Sequence, residues 1–270
     1  MNPRFDKTFA QARGAQRTVL CPFLTAGYPH LDHLPAMLMA LQQAPVGCIE
    51  LGFPFSDPIA DGPIIQESFR LALQRGATIR GIFAAVAQAR RNGLQLPLVA
   101  MASFSILFRY GTEEFVQAAV EVGIDGLILP DVPLEEAAPI VRTAAARDLA
   151  VSLLIAPTTS PERRRRIAEL CTGFVYYLSV TGITGERAQL PPDLSANLAQ
   201  LRGLTQRPIC VGFGISRPEQ VRSLRGIADG VIVGSALIRR LQEDAAEVAP
   251  DPVRTVGALA AQLAAPLQEP

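Results

Sequence analysis

A chain of 270 residues that is 49% hydrophobic and 19% charged carries enough apolar material to bury one sizeable core, and by length it is one barrel or two small domains. Its 25 basic and 25 acidic side chains cancel, which excludes a global field for nucleic acid or an anionic membrane and leaves any small anionic substrate to a local site. The stretch Met1 to Arg17 is polar and mixed in charge, unlike a secretory signal, and no apolar run reaches the roughly 18 residues of a membrane span, so a soluble, cytoplasmic protein is expected.

Along the chain, short apolar runs alternate with longer amphipathic stretches. Strands are expected at Val19–Thr25, Cys48–Gly52, Leu98–Ser103, Gly126–Leu129, Ala150–Leu154, Phe174–Leu178, Ile209–Gly212 and Gly230–Val233. Helices are expected between them at His33–Gln43, Ile79–Asn92, Glu114–Val122, Glu135–Arg147, Pro161–Leu170, Leu194–Gly203, Pro218–Leu224 and Ala236–Asp244, with Val253–Leu267 as the last. Thr112-Glu113-Glu114 and Ser160-Pro161-Glu162 have the form of helix starts, a capping hydroxyl followed by acids in the first turn. Strands nearly continuous in apolar residues, each followed by a helix, make a parallel sheet covered by helices. Eight such units predict an α/β fold, a (β/α)8 TIM barrel. It forms a single domain over residues 1–270, with an N-terminal helix and a C-terminal helix on its exterior. The long connections Pro54–Pro63 and Gly182–Pro192 then fall on the C-terminal face, where barrels carry their active sites.

In Cys48-Ile49-Glu50-Leu51-Gly52 the side chains alternate faces, so Cys48 and Glu50 share one side and Ile49 and Leu51 the other. With the branched pair toward the helices, Glu50 points into the barrel near its mouth. A carboxylate buried there without a partner costs several kcal/mol, or its pKa rises until it is neutral. Two readings stay open: a structural salt bridge to an arginine, or a carboxyl poised for proton transfer. Immediately beyond, Asp57-Pro58 and Asp61-Gly62 are each ordinary turn dipeptides. Attached to an inward-facing glutamate, their loop is alternatively the source of a second carboxylate for the same pocket.

Glycines mark three strand ends, in Thr181-Gly182-Ile183-Thr184-Gly185, Gly212-Phe213-Gly214-Ile215-Ser216 and Gly234-Ser235. Any one of them is a tight turn; three on one edge predict a phosphate grip built from backbone N–H groups. The single lysine, Lys7, precedes the first strand, which excludes Schiff-base or pyridoxal phosphate chemistry on this barrel. His30 and His33 stand at the entrance to the first helix and read as a solvated helix start, so no metal site is expected. Cys21, Cys48, Cys171 and Cys210 are widely spaced, without a C-x-x-C pair, and are expected as buried thiols. Acid–base chemistry by carboxylates on a phosphorylated substrate remains.

The run Glu50-Leu-Gly-Phe-Pro-Phe-Ser-Asp-Pro-Ile-Ala-Asp-Gly-Pro63 resembles the signature of tryptophan synthase α subunits, a long and specific pattern. Phe23-Leu-Thr-Ala-Gly-Tyr-Pro29, Asp131-Val-Pro-Leu-Glu-Glu136, Ser179-Val-Thr-Gly-Ile-Thr-Gly185, Gly212-Phe-Gly-Ile-Ser216 and Gly234-Ser235 resemble further motifs of that family, in family order. The resemblance implies a carbon–carbon lyase of L-tryptophan biosynthesis that cleaves indole-3-glycerol phosphate to indole and D-glyceraldehyde 3-phosphate. By the same resemblance, Glu50 moves protons at the glyceryl hydroxyl and the indole ring carbon, and Asp61 hydrogen-bonds the indole N–H. Phe23, Tyr176 and Phe213 belong to the substrate pocket, and Thr184 to a lid that touches Asp61. Gly185, Gly214, Gly234 and Ser235 cradle the phosphate. Pro54 and Asp57 lie on the face that meets a β subunit in an α2β2 heterotetramer. The chain itself needs no cofactor, pyridoxal phosphate being expected only on that β subunit.

One segment departs from the pattern. Where the family usually shows Met-x-Tyr-x-Asn-Pro, this chain has Met101-Ala-Ser-Phe-Ser-Ile106, with Ser103 and Ser105 at the tyrosine and asparagine positions. Three further readings stay open: a non-catalytic regulatory partner of a β subunit, a free-standing indole-3-glycerol-phosphate lyase, and an unrelated phosphosugar isomerase on the same barrel.

Overall fold

The computed structural model describes residues 3–59, 61–179, 190–212 and 214–268. In chain order these form α1 (Pro3–Gly14), β1 (Val19–Thr25), a 3-10 turn (Leu31–His33), α2 (Leu34–Gln43), β2 (Ile49–Gly52), α3 (Pro63–Gln74), α4 (Ile79–Arg91) and β3 (Leu98–Met101). There follow α5 (Phe104–Tyr110), α6 (Thr112–Glu121), β4 (Gly126–Ile128), α7 (Leu134–Ala145), β5 (Ala150–Ser152), β6 (Leu154–Ile155), α8 (Pro161–Leu170) and β7 (Val175–Leu178). The chain ends with α9 (Leu194–Arg202), β8 (Ile209–Gly212), α10 (Pro218–Ser223), β9 (Gly230–Val233), α11 (Ser235–Asp244) and α12 (Pro252–Gln268).

All pairings are parallel, in the order β5-β4-β3-β2-β1-β9-β8-β7-β6. β5 and β6 are one barrel strand interrupted at Leu153. That residue keeps the ladder alive, because its carbonyl accepts the Tyr176 N–H at 3.1 Å. The ring therefore closes with eight strand positions, the TIM barrel expected from the alternation. Three strands fall on the residues predicted for them, and the others differ by one or two at an end.

Two helices were not among the expectations. α3 begins at Pro63, directly after Gly62, so the connection expected over Pro54–Pro63 ends at a helix start. α5 is too short to show a helical period, and its first turn depends on Ser103, whose hydroxyl accepts the Ser105 N–H. The capping hydroxyl expected of Thr112 is corrected: α6 already includes Thr112, and Gly111, at φ +94°, takes the cap position. Only glycine adopts that backbone freely. Ser160 caps α8 as expected, accepting the Arg163 N–H.

The two faces of the sheet divide as the alternation requires. Ile49 and Leu51 join the layer between strands and helices, whereas Cys48 belongs to the barrel interior with Cys21, Val99, Ile128, Phe174, Tyr176, Cys210 and Ile232. All four cysteines are free and buried. Gly230 leaves room among them, since a Cβ there would stand 2.6 Å from Cys210 Sγ. Phe5 and Phe9 of α1 enter the same interior cluster, and Phe5 stacks 5.8 Å from Phe174. Phe174 immediately precedes β7, so α1 lies against the N-terminal end of the strands.

At that end a buried and a partly buried acid are neutralised. Asp125, fully buried before β4, accepts from Arg90 at 2.6 Å, from Arg4 at 2.9 Å and from the Leu98 N–H at 2.9 Å. Asp229, before β9, accepts likewise from Arg13, Arg202 and the Ile209 N–H. α12 packs outside the barrel on α2, α10 and α11. Among the described residues no helix is long and apolar enough to cross a membrane.

Asp125→Ala would strand the largely buried Arg90 cation and a strand N–H. It is expected to lower stability by about 3–5 kcal/mol, measured as a shift in the guanidinium unfolding midpoint at unchanged slope.

Candidate active site

β2 delivers Glu50 into the mouth of the barrel, level with Phe23 on β1 and Val99 on β3. The side chain is 2% exposed, and its Oε2 has no hydrogen-bond partner. No ion pair to it forms among the described residues, so the salt-bridge reading of Glu50 finds no arginine there. Burial, and secondarily the charge of Asp61, push its carboxyl from the usual range up to about 8.

The loop that carries Asp61 is fastened at both ends. The Phe53 N–H donates to the Met101 carbonyl at 2.8 Å, and the Phe53 ring meets Phe83 and Phe115 edge-on. Gln66 on α3 reaches back to donate to the Pro58 carbonyl at 3.3 Å and the Asp61 carbonyl at 2.8 Å. Asp61 is thereby held over the mouth. Burial first, then the charge of Asp131, raise its carboxyl to about 7.

Tyr176 comes from β7 and is buried; burial, then the nearby charges of Glu50 and Asp61, push its phenol well above the usual range. Its ring explains one of the strand-end glycines. A Cβ at Gly212 would collide with the Tyr176 hydroxyl, and one at Gly52 would collide with the Phe23 ring. Gly212 thus has a packing reason of its own, apart from any part in a phosphate loop. Two carboxyl groups and two aromatic rings converge on one apolar mouth. This can hold a flat ring system and move a proton at its edge.

At the expected phosphate edge, Gly214 follows β8 at φ +81°, a conformation that favours glycine. Gly234 caps α11 and Ser235 is its first residue, so that helix directs unpaired N–H groups toward the strand ends. Phe23 packs beside Gly234, which sets the ring wall next to this edge. Thr184, Gly185 and Phe213 lie outside the described residues. Of the pair expected on a partner face, Asp57 is exposed but Pro54 is buried beneath the loop; the 84% exposed Ile59 provides the apolar surface there. Among the described residues no cluster of three or more His, Cys, Asp or Glu is arranged to hold a metal ion.

The structure adds residues that sequence reasoning did not place in the site. Met101, Ser103 and Asp131 line a cavity of about 40 Å³ together with Asp61, Phe53 and Asp57. Ser103 donates to Asp131 at 2.5 Å, which gives the departing segment a hydrogen bond of its own. Ser105 stands exposed on α5. The serine and the aspartate were both visible as motif residues, but nothing in the sequence pairs positions so far apart.

Comparison with known proteins bears on this geometry. Residues 9–265 match the family model described as tryptophan synthase alpha chain. The tryptophan synthase alpha chain of Rhodopirellula baltica is 43% identical over 252 residues, covering 92% of this chain and 91% of that one. The alpha chain of Chloroflexus aurantiacus is 44% identical, covering 88% and 90%. Among solved structures, tryptophan synthase subunit alpha from Legionella pneumophila superposes with a TM-score of 0.90 at 36% identity, over 99% of this chain and 98% of that one. The tryptophan synthase complex from Pyrococcus furiosus gives 0.84 at 34%, over 92% and 98%. With its whole barrel matched and its two mouth carboxyls in place, the chain belongs to the tryptophan synthase alpha chain family.

Proposed function

We propose that this chain cleaves indole-3-glycerol phosphate to indole and D-glyceraldehyde 3-phosphate, as a single barrel unit and without a cofactor of its own. The observation that carries the reading is the Glu50 carboxyl, buried without a hydrogen-bond partner at Oε2 and raised to about 8. Such a group holds its proton at neutral pH and can release it to carbon. Glu50 protonates the indole ring carbon that bears the glyceryl chain, leaving positive charge on the ring nitrogen. Asp61 accepts the indole N–H and stabilises that charge. The Glu50 carboxylate then takes the proton of the glyceryl hydroxyl, the carbon–carbon bond breaks, and its electron pair restores the aromatic ring. Glu50 ends protonated, as it began. Phe23 and Tyr176, with Phe213, form the ring's walls. Gly214, Gly234 and Ser235, with Gly185, hold the phosphate through backbone N–H groups, and Thr184 serves the lid over the mouth.

The same reading places the chain in the cytoplasm, in an α2β2 heterotetramer with a β subunit that carries pyridoxal phosphate. Exposed Asp57 and Ile59, and Phe108 at 75% exposure, offer that partner a mixed polar and apolar surface.

The direct test is indole release by the purified chain, alone and with a β subunit. Glu50→Gln is expected to abolish release and Asp61→Asn to slow it by about 10²–10⁴; a Glu50→Gln chain as fast as wild type would refute the assignment. Release that rises when β subunit is added supports the complex, whereas full speed without it favours a free-standing lyase.

The free chain must have Asp61 ionised and Glu50 protonated. Log kcat/KM is therefore expected to be bell-shaped in pH, with its acid limb near 7 and its alkaline limb near 8. A profile flat from pH 6 to 9 would contradict this.

Stability carries the opposite sign from the usual carboxylate. Folded Glu50 binds its proton more tightly than the unfolded chain does, so its burial costs nothing at acid pH and progressively more as pH rises from about 4.5 through 8. Glu50→Gln should accordingly raise the melting temperature at pH 8–9 and leave it nearly unchanged below the unfolded pKa.

A further inference from the structure

The segment after β3 and the loop after β4 meet at the rim of the mouth. Ser103 Oγ donates to Asp131 Oδ2 at 2.5 Å, and the Phe104 N–H donates to Oδ1 at 2.8 Å. Both carboxylate oxygens are engaged, so the Asp131 side chain is fixed in rotation. The Ser103 hydroxyl is oriented in turn, because it accepts the Ser105 N–H at 3.2 Å and its own proton is left for Asp131. Asp131, Ser103 and Asp61 then line one cavity of about 40 Å³. Among the described residues, the groups facing Asp61 are Glu50 from β2, Tyr176 from β7, Asp57 from its own loop and Asp131, and no lysine, arginine or histidine lines the cavity. Asp131 itself is exposed on the rim, so its charge reaches Asp61 partly through solvent and its effect falls with added salt.

We propose that Asp131 is a positioning residue for Asp61, locked by Ser103 and the Phe104 N–H so that its charge strengthens Asp61 as acceptor of the indole N–H. The assignment rests on the cleavage reading above. As Asp131 also raises the Asp61 carboxyl, its loss makes Asp61 a weaker base and removes part of the field that steadies positive charge on the ring nitrogen. Ser103 is what turns the aspartate toward this task. Serine's short side chain both makes the bond and leaves the cavity between the two acids.

The test is the pH profile of indole release by the full chain, with its β subunit, for wild type, Asp131→Asn, Ser103→Ala and Ser103→Thr. It is run beside a carbon-13 NMR titration of Asp61, identified by its loss in Asp61→Asn. Asp131→Asn is expected to lower kcat by about tenfold, the rate equivalent of one pKa unit of lost interaction, and to move the acid limb and the Asp61 titration to lower pH. Ser103→Ala should shift both in the same direction by less, and Ser103→Thr, which keeps the hydroxyl, should restore them. An Asp131→Asn chain that loses thermal stability but keeps the wild-type acid limb would make Asp131 a structural cap of α5 and overturn the proposal. If wild type releases no indole, the cleavage reading fails on its own. The Asp61 titration then decides separately, and one that Asp131→Asn leaves in place overturns the positioning role.

Discussion

Water is kept from the Glu50 carboxyl by its burial in the barrel interior, and among the described residues no cation stands in for it. Everything at the mouth follows from that constraint. A carboxyl in such a place keeps its proton and feels the charge of Asp61, which in turn feels that of Asp131 on the rim. The same barrel treats the acids at its other end in the opposite way. Asp125 and Asp229 stand before strands, take N–H groups from the neighbouring strand and are closed off by arginines. Arginine at one end makes acids into rivets; among the described residues none stands beside Glu50, Asp61 and Asp131 at the other.

What the sequence made legible was whatever is local in the chain. The period-two alternation in Cys48-Ile49-Glu50-Leu51 is enough to point Glu50 inward, and eight apolar runs separated by helices leave few architectures besides the barrel. Asp61 and the strand-end glycines could be placed because loops after strands must end on the same face. The failures have equally physical causes. α3 was hidden behind the Gly62-Pro63 start, and α5 behind a segment only seven residues long. Thr112 carries the side chain of a cap, but Gly111 carries the backbone of one, and the backbone decided the matter. The Ser103–Asp131 bond joins two loops through folding alone, so no pattern in either segment announces it.

Glycine illustrates how one residue serves different ends. Gly52 and Gly212 make room for the rings of Phe23 and Tyr176, Gly230 makes room for sulfur, and Gly214 supplies a left-handed backbone. A run of glycines at strand ends is thus partly about packing the pocket and partly about backbone conformation. Only the contacts separate the two.

The pairing of β1 with β9 has a consequence for how such a molecule comes into being. Val19 pairs with Gly230, and Thr18 bonds the Ala228 carbonyl across 210 residues of chain. During synthesis, therefore, β1 emerges with one edge bare and stays so until almost the entire polypeptide has followed it. The wall that Phe23 forms beside Gly234 is completed by the last strand to be made. A nascent chain carries Glu50 and Asp61 early, but in a trough still open to water, where a carboxyl has no reason to hold its proton. The acid becomes an unusual acid only at the moment the ring is shut.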